Sequence, residues 1–348
     1  MQLCRESHQV ITRHLLLPEI ISMYYLYFSC NNLICLSKYL LKRVGIAILT
    51  FLLVTAITYF LMNAIPGSPF LTEKSTPEQI SRAEEKYGLG KPIYIQYANY
   101  LSDLLHGDLG ISLKMQEGIL VTQILFTQGK FALSVKLGLI ALSIAIIVGV
   151  TLGCLAAYHR SRLIDNVLRV LTTFGVAIPT FVSASLLLVI LSVKLGVLPG
   201  VSGSLESVNN YIMPVAALSF YPCCYISKLT RTSMLDTLNQ DYIHTARAKG
   251  LKTGIIIFKH ALRNSLIPVV TYLGPLTAFV LTGGFVVETT FGIPGLGKYL
   301  ISSILNRDYP IIMGTTIVLA TLIIVMNLIV DILYVIIDPR ISLAKAEV

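Results

Sequence analysis

The chain has 348 residues, of which 55% are hydrophobic and only 13% charged, about half the roughly 25% charged residues of soluble domains. That balance excludes an ordinary soluble globular protein and points to a chain solvated mainly by lipid. The formal net charge of +9 comes without the soluble basic face that nucleic-acid binding needs, and an excess of Lys and Arg on one side of membrane spans accounts for it more simply.

Taken from the N-terminus, residues 1–36 are set apart. The run Ile20 to Leu36 is apolar but holds Asn31 and Asn32. An extra span, a surface helix and residues upstream of the true start are all open readings, and the expectation is a dispensable, wrongly included extension. The apolar run lies too late, and lacks a clean small-residue cleavage site, for a signal peptide.

A span needs about 20 apolar residues to cross a hydrocarbon core roughly 30 Å thick. Six segments are read as spans: Val44 to Ile65, Phe131 to Tyr158, Val167 to Leu195, Tyr211 to Ile226, Leu266 to Val287 and Ile311 to Ile337. The fourth is the weakest, because Pro214 and Pro222 interrupt it. The expected fold class is therefore all-α, a polytopic membrane protein of six transmembrane helices. The expected division is 37–65 for the first helix, 66–130 for an external loop subdomain, 131–341 for the core, and 342–348 for a tail. Within the core, 228–263 forms a cytoplasmic loop.

Charge orients these spans. Lys38, Lys42 and Arg43 precede the first; Arg160, Arg162 and Arg169 fall between the second and third. Lys228, Arg231, Arg247, Lys249, Lys252, Lys259 and Arg263 fall between the fourth and fifth, and Arg340 and Lys345 follow the sixth. The alternate short loops carry only Lys194, then Lys298 and Arg307. The positive-inside rule puts both ends of the six-span core in the cytoplasm. The loop from Pro66 to Lys130 is then external. Its mixed charge suggests a small folded cap, with a helix starting at Thr76-Pro77-Glu78 and stopping at Gly88.

Within the spans, Ala141, Ala145, Gly149, Gly153 and Ala157 recur every four residues. On a helix they form one ridge of small side chains along which another backbone can approach; this speaks for packing, not substrate. Gly175 and Pro179 in the third span, and Pro268, Gly274 and Pro275 in the fifth, mark expected bends. Bends free backbone groups that can line a polar path. Asp331 near the inner end of span six and Glu288 near the outer end of span five are functional candidates as intramembrane acids; Asp331 is close enough to the cytoplasmic surface that pairing with a loop Arg or Lys is the expected role. Lys136 is expected to snorkel to the outer interface.

The segment Asp241-Tyr242-Ile243-His244-Thr245-Ala246-Arg247-Ala248-Lys249-Gly250-Leu251 reads as a short basic helix, with Asp241 as cap and Gly250 closing it in a left-handed turn. By composition alone it is a solvated amphipathic connector. It resembles, however, the loop of binding-protein-dependent ABC importer permeases of the dipeptide/oligopeptide type, whose pattern D-Y-x-x-T-A-R-A-K-G-L docks on the ATPase. Asp241, Thr245, Ala246, Arg247, Ala248, Lys249, Gly250 and Leu251 match in place, as does His260-Ala-Leu-Arg-Asn264. The wider importer pattern has Glu at 244 and Pro at 263, where this chain has His244 and Arg263, as in the peptide branch.

The resemblance covers most of Lys38 to Ile341. Ile65-Pro66-Gly67-Ser68-Pro69 is similar to the family's P-G-D-P, and His106 to Ser112 to the G-D-L-G-x-S of the first of two paired permeases. Gly283-Gly284 with Glu288, Phe291, Pro294, Gly295 and Gly297 matches a motif after span five, and Asp331 with Asp338-Pro339-Arg340 the terminal pattern. The family's proline before span two is missing from Thr127 to Phe131. The resemblance implies the type I ABC importer permease fold and a subunit without its own ATPase site or cofactor. It implies as partners a second homologous permease, two ATP-binding subunits, an extracytoplasmic peptide-binding protein, the peptide substrate and membrane lipid.

Gly292 to Lys298 fits G-x-x-x-x-G-K, but Tyr299 stands where a phosphate loop needs Ser or Thr for magnesium, and no strand precedes it. None of the cysteines Cys4, Cys30, Cys35, Cys154, Cys223 and Cys224 shows C-x-x-C spacing, and the six histidines form no pair at metal-binding helical spacing. A nickel or other small-solute permease of the same family is the alternative. A secondary transporter or channel, lacking clear inverted repeats or midplane charges, fits less well.

Overall fold

The computed structural model describes residues 41–64, 91–201 and 207–337. The N-terminal extension, the expected helix at Thr76, the Pro66-Gly67 motif, Asp338-Pro339-Arg340 and the tail lie outside the described residues. By its contacts the chain divides into two units, residues 1–49 with 332–348, and residues 50–331; the site lies in the second.

The regular structure among the described residues is helical, with one isolated antiparallel bridge between Ile111 and Leu120. In order they form α1 Leu41–Ala64, α2 Ile93–Leu105, α3 Lys130–Tyr158, α4 Leu163–Ala177, α5 Thr180–Leu187, α6 Val208–Leu238, α7 Asp241–Ala248, α8 Ile267–Thr290, α9 Leu296–Asn306 and α10 Tyr309–Ile337. Helices α1, α3, α6, α8 and α10 are each long and apolar enough to cross a membrane. The pair α4 and α5, with the π-helical turn Leu188–Lys194, makes a sixth if counted as one bent span.

The α3–α6 contact organises the bundle. Ala141, Ala145, Gly149, Gly153 and Ala157 are all buried. A Cβ added at Gly149 would stand 2.8 Å from the Cys223 carbonyl oxygen, and one at Gly153 would stand 2.6 Å from that of Ser227. Glycine is required at both because the facing backbone occupies the space that a side chain would fill. In lipid, where apolar burial drives little association, such close approach is what packs helices together.

Three expectations about the spans need correcting. The fourth was read as Tyr211 to Ile226 and interrupted. Instead α6 runs unbroken through Pro214 and Pro222 to Leu238, about 18 Å further at 1.5 Å per residue. Both prolines are buried among neighbouring helices, a setting in which the lost backbone bonds are tolerated. The third span is not one rod: α4 and α5 meet at 103°. Finally, α9 was not foreseen as a helix. It lies between α8 and α10, and Leu296 joins the segment between α2 and α3 through Leu109, Val121, Ile124 and Leu125 in one apolar cluster with Ile311.

Candidate functional site

The matched loop forms α7. Gln240, extended at ψ 149°, precedes it, and Asp241 is its first helical residue. Asp241 was expected to cap the helix; its side chain makes no cap hydrogen bond, and it acts instead as an acid in the first turn, near the positive end of the helix dipole. The far end closes as expected. Gly250 has φ +76°, its amide donates to the Arg247 carbonyl at 2.9 Å, and the Leu251 amide to that of Ala246 at 3.3 Å. Those two bonds are a Schellman closure.

Only the underside of α7 is buried. Ile243 and Ala246 pack with Met234, Ile256 and Ala261, and with Ala157, the last residue of the α3 ridge. Asp241, His244, Thr245, Arg247, Ala248, Lys249 and Gly250 are exposed. A single side-chain bond, from Asn264 Nδ2 to Tyr242 Oη at 2.7 Å, ties α7 to the following segment. The result is a small rigid knob with a polar outer face, seated on the end of α3. No atom stands within 4 Å of where a Gly250 side chain would begin, so that position faces open space.

The five bend residues part company. Ile178 is extended because it precedes Pro179, and the chain turns there between α4 and α5. Gly175, one turn earlier, is buried where the Cys224 side chain of α6 presses on it. Gly274 faces Asn327 of α10, and Pro275 lies inside an α8 that continues past it. Pro268 is the second residue of α8. The helical stretch Leu262–Ser265 runs up to it and breaks at Leu266, two residues before the proline. Between α6 and α8 runs an aromatic stack: Tyr225 on Tyr272 with ring centroids 4.3 Å apart, and Tyr221 against Phe279 at 4.4 Å. Lys136 does not simply snorkel; its ammonium sits 4.9 Å above the Tyr211 ring.

Three carboxylates hold the elements around these features. Glu288, 2% exposed at the end of α8, accepts from the Gly297 amide at 2.8 Å, the Lys298 amide at 3.3 Å and the Ser134 hydroxyl of α3. Ser134 Oγ in turn accepts from the Leu296 amide. The glycine-rich segment that mimics a phosphate loop thus spends the amides at the start of α9 on the protein's own carboxylate. Asp308, fully buried, accepts from Ser112 Oγ at 2.7 Å and from the amides of Leu113, Lys114 and Met115 at 3.3, 3.0 and 2.9 Å. It fastens the segment that follows the G-D-L-G turn to the start of α10. At the opposite end Asp165 of α4, 1% exposed, takes Arg231 of α6 in a two-pronged pair at 2.6 and 2.8 Å. It also accepts from the Ser161 amide at 2.9 Å. Sequence reasoning missed Asp308, Ser134 and Asp165, and nothing local to them signals partners so far along the chain.

Comparison with known proteins matches residues 149–343 to the model of the binding-protein-dependent transport system inner membrane component, and residues 36–115 to that of the N-terminal part of such a membrane component. The chain is 42% identical over 311 residues to the dipeptide transport system permease protein DppB of Bacillus subtilis, covering 89% of this chain and 99% of that one. It is 41% identical to the oligopeptide transport system permease protein OppB of Haemophilus influenzae (87% and 99% covered) and 39% to the dipeptide transport system permease protein DppB of Lactococcus lactis (88% and 99%).

Proposed function

This chain belongs to the family of binding-protein-dependent transport system inner membrane components, and from that premise we propose that it is one of two paired permeases in an ATP-driven importer of di- and oligopeptides. The relatives named for dipeptide and oligopeptide transport support the substrate class. The observation that carries the mechanism is the α7 knob: a short helix with a fixed end, an apolar underside on α3 and a polar face turned outward.

In this reading an external binding protein delivers peptide, a second permease completes the path, and two ATP-binding subunits hydrolyse the nucleotide. The exposed face of α7, from Asp241 to Leu251, docks into one of those subunits. Force applied there passes through Ile243 and Ala246 to Ala157, and so to the ridge on which α3 and α6 are packed. Both ends of the six-span core face the cytoplasm, so α7 meets its partner there. The bend at Pro179, and Gly274 and Pro275 in α8, contribute backbone to the path.

The test is Gly250→Val in cells lacking their own peptide permeases. A β-branched residue in the left-handed region costs roughly 1–2 kcal/mol, small beside the whole fold, yet it deforms the outward face. The expected result is normal amounts of protein in the membrane, lost uptake of a radiolabelled dipeptide, and failure to co-purify the ATP-binding subunit. Normal uptake would overturn the assignment.

A further inference from the structure

Below the α3–α6 contact, the α7-side ends of α3, α4 and α6 leave an open cleft, walled in part by Ala156 and Leu168 and edged by Arg169, Lys228 and Arg231. Asp165 is the acid in hydrogen-bonding reach of this group, and both of its oxygens are engaged by Arg231. It also lies near enough to Arg169 to feel that charge. The three cations lining the cleft thus stand against one carboxylate, and the group is net positive. Arg169 donates to the neutral Asn166 amide oxygen, and among the described residues neither it nor Lys228 forms a salt bridge. Arg160 and Arg162, on the turn joining α3 to α4, add to the same positive field.

A second observation points to a ligand. Ser227 lines this cleft, is 2% exposed, and its side chain makes no hydrogen bond with any described residue. Its hydroxyl opens onto the cleft, where it is placed to donate beside Arg169 and Lys228. Beyond the cleft, α4 presents Val167, Val170, Leu171 and Phe174 as an exposed apolar face running from Arg169 toward the Pro179 bend.

We propose that this cleft binds the phosphodiester headgroup of an anionic phospholipid, with its acyl chains along the exposed face of α4. The cations and the Ser227 hydroxyl supply charge-assisted and neutral donors to phosphate oxygens. The adjoining apolar face distinguishes a lipid from a free phosphate, which has nothing to lay there. Basic pockets between transmembrane helices near a membrane surface hold anionic headgroups by this combination. The site depends on the six-span topology above only for the choice of the cytoplasmic leaflet.

The test is native mass spectrometry of the full-length chain, alone and in its assembled complex, titrated with phosphatidylglycerol, phosphatidylcholine or glycerol 3-phosphate. Phosphatidylglycerol is expected to bind more tightly than phosphatidylcholine in both preparations. An Arg169→Gln/Lys228→Gln variant is expected to lose roughly thirty-fold in affinity, at about 1 kcal/mol per cation, and Ser227→Ala a smaller factor. Both altered cations are exposed, so the variant should keep its melting temperature; Lys228→Glu alone, which reverses a charge, provides the second variant. Unchanged phosphatidylglycerol affinity in these variants would overturn the site. Equal binding of glycerol 3-phosphate would overturn the lipid in favour of free phosphate. Loss of binding only on assembly would assign the face to a protein partner. Each readout is independent of peptide uptake, so failure of the transport reading would leave it standing.

Discussion

At the α9 end of the bundle, Glu288 ties the start of α9 to the Ser134 hydroxyl of α3, Asp308 gathers three amides from a segment far away in the chain, and both carboxylates are shut away from solvent. At the α7 end the knob rests on a few apolar side chains and one exposed tyrosine–asparagine bond. The first arrangement is expensive to break, because each carboxylate is buried and gathers several donors at once, so its loss strips three or four hydrogen bonds together. The second gives way cheaply, because its polar groups already face water. A lever has to be stiff inside yet free to engage at its surface, and α7 has that character. The α9 end moves, if at all, as one piece with α3, α8 and the start of α10.

That contrast is broken most directly at Asp308. Asp308→Ala removes the acceptor of three amides and a hydroxyl, and is expected to destabilise the chain by roughly 3 kcal/mol or more, read as a lowered midpoint in thermal unfolding of the detergent-solubilised protein. Asp308→Asn keeps one acceptor oxygen and should fall between that variant and the natural chain. Next in size is Gly153→Val. With the Ser227 carbonyl where the new side chain must go, overpacking should cost about 1–3 kcal/mol. Because the ridge ends in the apolar cluster under α7, peptide uptake should fall along with stability. A Gly153→Val protein of natural stability would mean that α3 and α6 can part without cost.

What could be read from the sequence followed local periodicity. The ridge from Ala141 to Ala157 was visible because a step of four nearly matches the helical repeat, and Gly250 because a helix stop by glycine has a local cause. The bend at Pro179 was visible as a residue but not as an angle, since the 103° turn depends on what α5 packs against. Pro268 was visible as a residue too, but not the place of the break it accompanies, which falls at Leu266 between two helical stretches. The run from Ser227 to Leu238 was read as loop because hydropathy reports compatibility with lipid, not helicity, and α6 continues as a helix beyond its apolar stretch. Helix α9 escaped because 11 residues are too few to span a bilayer. The three carboxylate clamps were beyond reach: Ser112 and Asp308 are 196 residues apart, and one sequence does not show who meets whom across such a distance.

Smaller effects sharpen the comparison at α7. Gly250→Asn puts the residue most tolerant of left-handed backbone after glycine into open space. It should cost under about 1 kcal/mol and preserve uptake, in contrast to Gly250→Val. Loss of uptake in both would show that the outward face tolerates no side chain at that position, whatever its backbone preference.

The smallest effect is expected for Tyr242→Phe. Its hydroxyl accepts from Asn264 at 2.7 Å, a distance no longer than the Ser112–Asp308 bond at the other end. Geometry alone would value the two alike. Surroundings do not: Tyr242 and Asn264 are both exposed, so water replaces the lost partner on each side, and the net cost should stay below about 0.5 kcal/mol, under the usual range for a hydrogen bond. A double-mutant cycle with Asn264→Ala, followed by thermal unfolding, isolates that pair. A coupling as large as the loss in Asp308→Asn would mean that α7 is clamped as firmly as the α9 end, and the contrast between a locked end and a compliant one would disappear.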